Sequence, residues 1–284
     1  MNVRGFPWGG LVVATVLLSG CGKGAPRGDA PAAADAPAPV LPPPEQLVVI
    51  PGDTSLTPEE YIKLGMPAHD RAWTGPEMNK ASTVLAKFEK DLGKLPRYNS
   101  SRSGKVFSRI ASTENFASSK NLALPLNMRF PNTLNYFGAM NTIFKTYLSA
   151  DPRAATLGAE QLELMGTLMR SAVAMCYLCD ELVPTLDPKD PTYPARMRGL
   201  ETMRGGLATM VSGGLISLTE AHYTEADRLR LLGSLEETLP VLFTHLTDGS
   251  KVEIPVRLSE LEADPKLAFA KDRLRALREK LPTK

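Results

Sequence analysis

The stretch LGAEQLELMGTLMRSAVAMCYLCDELV, residues 157–183, decides the fold class. Met165, Leu168, Met169, Ala172, Cys176, Cys179 and Val183 recur with helical spacing and share one apolar face, while Glu163, Arg170 and Glu181 fall opposite. No glycine or proline interrupts the pattern except Gly166, so one long amphipathic helix is expected, with both thiols turned inward.

The same period spreads outward from it. Met78, Ala81, Leu85, Phe88, Leu92 and Leu95 form one stripe behind Thr74-Gly75-Pro76-Glu77, where a threonine, a proline and an acidic residue stand in capping-box order. Thr57-Pro58-Glu59-Glu60 repeats that order. Further helices are expected near 132–148, 194–219, 225–246 and 265–281, the last capped by Asp264-Pro265. Prolines are expected to mark helix starts and joints, as at Asp151-Pro152, Asp187-Pro188 and Asp190-Pro191. Between Gly205 and Thr219 no residue is charged, so the helix at 194–219 reads as a central one with neighbours on both sides. Gly205-Gly206 and Gly213-Gly214 then mark close helix approach, or else the helix breaks at the second pair.

Strand signals are sparse. Asp248-Gly249 reads as a turn, Val252, Ile254 and Val256 alternate with polar residues, and 47–50 is a short apolar run that is expected to pair with them. Pro255 restricts such a strand to an edge. The expectation is an all-α, bundle-like body of about six to eight helices, with at most one short two-stranded element.

Composition agrees with a folded body. The 284 residues are 43% hydrophobic and 23% charged, with 33 basic residues against 31 acidic, which excludes wholesale disorder and a strongly basic nucleic-acid binder. The near-neutral sum conceals blocks. Residues 87–109 hold seven basic against two acidic residues, 219–264 ten acidic against four basic, and 265–284 seven basic against two acidic. Solvated helix faces account for such blocks most simply; the functional alternative is a bipolar surface whose basic side meets an anionic partner.

The N-terminus reads as an address. Arg4 precedes LVVATVLL (residues 11–18), an apolar run of eight, whereas a membrane span needs about 20. It ends in Leu18-Ser19-Gly20-Cys21, which resembles the lipobox of bacterial lipoprotein signals at every position. The resemblance implies removal of residues 1–20, a diacylglycerol thioether on Cys21 and a further acyl chain, such as palmitate, on its new amino group. It thereby implies a membrane-anchored envelope protein. Gly22, where an Asp is the retention signal in the better-known sorting rule, leans toward the outer membrane over the inner. Residues 22–46 hold seven prolines and seven alanines and no aromatic, too little apolar surface to order themselves. Residues 21–46 therefore read as a lipidated, extended tether, about 75 Å long at about 3.1 Å per residue. Residues 47–284 are the globular domain.

Chemistry is harder to find. Cys176-Tyr177-Leu178-Cys179 sits deep in a helix rather than at a helix N-terminus, no histidine follows it, and no second such pair completes a zinc site. Inert core thiols are the favoured reading; a strained or redox disulfide and metal binding are the alternatives. His69, His222 and His245 have no Glu-x-x-His partner and read as structural or surface residues. HExxH, GxSxG, GxxxxGK[ST] and GxGxxG are all absent from the sequence. Met165, Met169, Met175, Met197, Met203 and Met210 crowd two adjacent helices, as core or as the lining of an adaptable apolar pocket. No catalytic, cofactor-binding or metal residues are therefore assigned, and Cys21 is the one modification site. The function expected is a non-catalytic envelope component that binds or scaffolds an envelope protein or an anionic envelope polymer, not nucleic acid. The alternatives are a carrier of a lipid or peptide and an envelope enzyme.

Overall fold

Helices begin where the capping chemistry predicts. The computed structural model describes residues 47–282; the signal, Cys21 and the stretch 21–46 lie outside the described residues. Helix α1 (Pro58–Lys63) starts on a complete capping box: Glu60 Oε2 accepts from the Thr57 backbone N–H at 2.7 Å and Glu60 N–H donates to Thr57 Oγ1. Helix α2 (Gly75–Ala86) repeats the arrangement with Thr74 and Glu77. Three short helices follow, α3 (Gly104–Ile110), α4 (Glu114–Ala117) and α5 (Ser119–Leu122). The long elements come next: α6 (Leu126–Ala150), α7 (Gly158–Leu182), α8 (Tyr193–Ser217), α9 (Glu225–His245), α10 (Asp248–Ala263) and α11 (Lys271–Glu279). Seven of these helices run nine residues or more, so the body is all-α as expected.

Helix α7 is the axis of the body, packed against α6 on one side and α9 on another; α2 lies beyond α6, while α10 and α11 pair near α9. The segment Gly158–Thr185 is long and apolar enough to cross a membrane, but 72% of its most apolar window is buried by the other helices. Two glycines let α7 sit this close to its neighbours. A Cβ on Gly166 would run into the Ser234 side chain of α9, and one on Gly214 of α8 would run into the Met169 methyl of α7. Bare backbone at these crossings keeps the layers in contact, which outweighs the roughly 1 kcal/mol that each glycine costs in helix propensity.

The few aromatics tie loops to helices. The Tyr61 hydroxyl donates to the Lys94 carbonyl at 2.6 Å, Tyr136 to Ile110 at 3.1 Å, and Tyr147 to Pro96 at 2.7 Å. Tyr223 donates to Gln161 Oε1 at 2.9 Å. Each ring is buried and its one polar atom satisfied, so a small aromatic inventory joins non-helical backbone to the core.

Four expectations need correction. Residues 252–256 are not a strand: they lie inside α10, and Asp248-Gly249 forms its first turn behind a Thr247 cap that accepts from the Ser250 N–H. Val252, Ile254 and Val256 mimic alternation because only Ile254 of the three faces the core. Residues 47–50 pair elsewhere, in an isolated parallel bridge between Val48 and Ser100; among the described residues no strand forms. The helix at 75–95 stops at Ala86; a separate 3₁₀ turn follows at Leu92–Lys94, where the Thr54 hydroxyl donates to the Gly93 carbonyl at 3.0 Å. Its stripe is still used, with Leu95 buried and Phe88 and Leu92 packed against the core from outside the helix.

The third correction concerns α8. It is continuous through Gly213-Gly214, but it is peripheral: Gly205, Thr209 and Ser212 are exposed. A face without charge is not a buried face, since small and hydroxylated residues meet water at little cost. Finally, Pro131, Pro240 and Pro255 lie inside α6, α9 and α10 rather than at joints. Each removes one intrahelical hydrogen bond at a cost of about 3 kcal/mol, which the packing of these helices offsets.

Candidate functional site

Two places gather more chemistry than the rest of the body. The first is a sulfur-rich cluster at one end of α7. Phe130 and Leu134 from α6, Met175, Leu178 and Cys179 from α7, and Leu200 from α8 form an apolar cluster separate from the main core, with Met197 and Met203 packed against it. Cys179 Sγ lies 3.8 Å from Met203 Sδ. Cys176, one turn back on the same helix, is buried in the adjoining main core. Both thiols are free, and burial pushes each up to about 12. That is the opposite of an activated cysteine, which needs a positive, partly exposed setting to lower its pKa. The inward-facing placement read from the sequence is what the structure has. The methionines divide: Met165, Met169 and Met210 are main core, Met175 and Met197 belong to the end cluster, and Met203 packs against both.

The second place is the root of the N-terminal segment. Val48 N–H donates to the Asn99 carbonyl and Ser101 N–H to the Val48 carbonyl, both at 2.7 Å. The Ser55 hydroxyl meets Ser103 Oγ at 2.7 Å, the Ser100 hydroxyl donates to Asp53 Oδ2, and Arg102 Nε donates to the Ser55 carbonyl. Burial works against ionisation of Asp53, but hydrogen bonds from Ser100 and Ser55 hold its carboxyl below the usual range. Residues 47–55 are thereby fastened to the loop at 95–104, which is itself locked to the start of α7. Arg97 Nε lies 2.9 Å from Glu160 Oε1, and the Tyr98 N–H donates to the same oxygen at 2.8 Å. Asp151 organises the turn that leads into α7, its carboxylate accepting from the backbone of Ala155, Thr156 and Leu157. Asp151 reads from the sequence only as part of a proline joint, and Glu160 is not singled out; its partners Arg97 and Tyr98 lie in a loop more than sixty residues away, whose approach no local pattern reveals.

The histidines do not converge. His69 gives its carbonyl to Arg109 Nε in the connection between α1 and α2. His222 sits in the turn before the Thr224 cap, 3.7 Å from Glu220, and His245 ends α9 with Nε2 3.4 Å from Asp180 of α7. Among the described residues no three His, Cys, Asp or Glu side chains gather as metal ligands.

The charge blocks meet each other. Arg273 holds Glu236 at 2.6 Å and Arg275 holds Glu262 at 2.8 Å, with Arg278 on the same Glu262 at 3.1 Å. The basic C-terminal block is thus laid against the acidic block before it. In the 87–109 block, Arg97 pairs with Glu160, Arg102 with Glu60, Arg109 with Glu114 and Lys94 with Asp91. Lys87, Lys90 and Lys105 stand exposed with no ion pair among the described residues.

No protein-family model matches this chain, and no curated protein or solved structure matches it either.

Proposed function

We propose that the chain is a membrane-anchored bacterial envelope lipoprotein whose helical body is a non-catalytic binding or scaffolding component, held off the membrane by residues 21–46. The observation that carries this reading is the fastening of the body's first residues. Val48 and Ser55 are hydrogen-bonded to Asn99, Ser101 and Ser103, while Val49 is 83% exposed. A tether pulling on residue 47 therefore loads the loop at 95–104 and, through Arg97 and Glu160, the central helix α7 rather than fraying a free end. The lipobox at 18–21 and the proline-alanine stretch supply the other two parts. Two acyl chains on Cys21 anchor a protein stably, whereas a single chain of myristoyl size binds at only about 10⁴ M⁻¹.

The charge pairing favours a protein partner over an anionic polymer. In the basic block nearest the tether root Arg97, Arg102 and Arg109 are each paired with a glutamate, leaving isolated lysines instead of a continuous positive field. Expression of the full chain in a bacterial host, with mass spectrometry of the mature N-terminus, tests the anchor. The expected product begins at an acylated Cys21, floats with membranes in a density gradient, and is lost to the soluble fraction in Cys21→Ala. A mature N-terminus elsewhere, or a soluble wild-type protein, overturns the reading. Cross-linking from native envelopes then tests the partner.

A further inference from the structure

Helix α10 carries an uncharged stripe on the side it turns away from the body. Ile254, Leu258 and Leu261 are buried, and on the opposite side Gly249, Val252, Val256, Ser259 and Ala263 all stand exposed, in steps of 3, 4, 3 and 4 residues. Val252 is 60% exposed and Val256 56%. Single exposed apolar residues need no explanation. Two valines on adjacent turns are different, because a β-branched side chain loses rotamer freedom in a helix and here gains no burial in return. Steps of 3 and 4 are the seam along which one helix packs on another. We propose that this stripe is the contact of a symmetric dimer, in which α10 lies antiparallel to α10 of a second copy of this chain.

The stripe complements itself in that arrangement. A two-fold axis at Val256 sets this valine against its own symmetry mate and Val252 over Ser259 of the second copy. Gly249 then meets Ala263 of the second copy, and these small ends let the two backbones approach. Charge agrees with shape. An isologous contact brings the same flank of both helices together, and Glu253 and Arg257 share one flank. Arg257 holds its own Glu260 at 2.9 Å, and its guanidinium has donors left for a second carboxylate. The antiparallel register supplies one, since Arg257 comes beside the exposed Glu253 of the second copy, twice across the axis. At 1.5 Å per residue α10 is only about 24 Å long, and one such helix pair stays below the roughly 1,200 Å² of a standard interface. The dimer is therefore weak and is best read by trapping. The proposal holds whether or not Cys21 is acylated.

Disulfide trapping in the purified full chain tests it. Every variant also carries Cys21→Ala, so the anchor takes no part and its failure leaves this test intact; Cys176 and Cys179 are buried and do not compete. Val256→Cys is expected to form a covalent dimer on mild oxidation, because its two copies meet at the axis. Ala263→Cys is expected to stay monomeric, its two copies lying about 21 Å apart at 1.5 Å rise per residue. Within the Val256→Cys chain, Glu253→Arg sets like charges together and is expected to abolish the dimer, and adding Arg257→Glu is expected to restore it. None of these side chains is buried, and far-ultraviolet dichroism is expected to be unchanged throughout. A Val256→Cys chain that stays monomeric or cross-links to a different protein, equal trapping of Ala263→Cys, or a charge exchange that fails to restore the dimer overturns the proposal.

Discussion

Arg97 and Glu160, sixty-three positions apart, meet with Nε 2.9 Å from Oε1, and the Glu160 side chain is only 2% exposed. The pair joins the loop that receives the N-terminal segment to the first turn of the central helix, and Arg97 Nη2 adds a bond to the Thr156 carbonyl at 2.7 Å. Such a buried pair contributes little relative to a well-packed apolar substitute, but breaking it leaves one charge without compensation. Arg97→Ala is therefore expected to cost about 3–5 kcal/mol, read by urea denaturation. Replacing both partners by apolar residues is expected to recover most of the loss. A cost for Arg97→Ala under about 1 kcal/mol, the level of an exposed pair, would refute the structural role given to Glu160.

Glycines at the helix crossings and glycines in the open respond in opposite directions. Gly205→Ala meets nothing within 4 Å and is expected to stabilise α8 by about 0.5–1 kcal/mol through helix propensity. Gly166→Ala drives a methyl into Ser234 and is expected to destabilise by about 1–3 kcal/mol through overpacking. Thermal melts of the two variants decide, and equal shifts would contradict the close packing of α7 on α9.

Acid sensitivity centres on Glu77. Its hydrogen bond from Arg71, backed by the Thr74 cap, lowers its pKa to about 2 from 4.5. A depressed carboxyl stabilises the fold above its unfolded pKa and loses that contribution as pH falls, here between about pH 4.5 and 2. Its partner Arg71 is exposed, so solvent screening keeps the effect small. Glu77→Gln is expected to lower stability at neutral pH and to flatten the dependence in that window. A stability profile in acid that Glu77→Gln leaves unchanged goes against this assignment.

Alkali acts with the opposite sign. Cys176 and Cys179 are raised to about 12 by burial, and burial likewise raises Tyr61, Tyr136, Tyr147 and Tyr223. Groups kept neutral in this way stabilise the fold below their unfolded pKa, and the contribution fades as pH rises above about 9. At pH 8, iodoacetamide should label both thiols only as fast as the protein opens, and much faster in denaturant. Rapid labelling of the folded protein would place the sulfur cluster at the surface.

The root of the N-terminal segment is expected to exchange slowly. The Val48 and Ser101 amides are both donated at 2.7 Å, so their hydrogen exchange should be protected relative to residues 22–46. Val48→Pro removes the donor and should release residues 47–50 without unfolding the body. Equal exchange across 22–50 in the wild type counts against the fastened root.

Helix identity was legible wherever a cap and a stripe coincided. Thr57, Thr74 and Thr224 each start a helix where the sequence places one, and the apolar face of 157–183 is the face that packs. Boundaries failed where tertiary contacts decided them. The stripe from Met78 to Leu95 runs past the end of α2, its last members packing on the core from the segment after it, and Val252 and Val256 imitate a strand while lying exposed on α10. The sulfur cluster was half legible: Cys176 and Cys179 announce themselves by spacing, whereas nothing local says that Met203 turns toward Cys179.

The sequence by itself determined the all-α class, the caps, the inward face of the central helix, and the lipobox and proline-alanine stretch that ground the anchor proposal. All of these are set by spacings of four residues or fewer, or by composition. Only the tertiary structure decided which helix is central, where the root is fastened, and how the charge blocks are spent. The basic and acidic runs look like surfaces in one dimension, but Arg273, Arg275 and Arg278 close onto Glu236 and Glu262. The physical reason is that periodicity is a property of a helix alone, while burial and pairing depend on which faces meet. That is fixed by the fit of whole helices, down to a glycine at 166 or 214, and no short-range pattern encodes it.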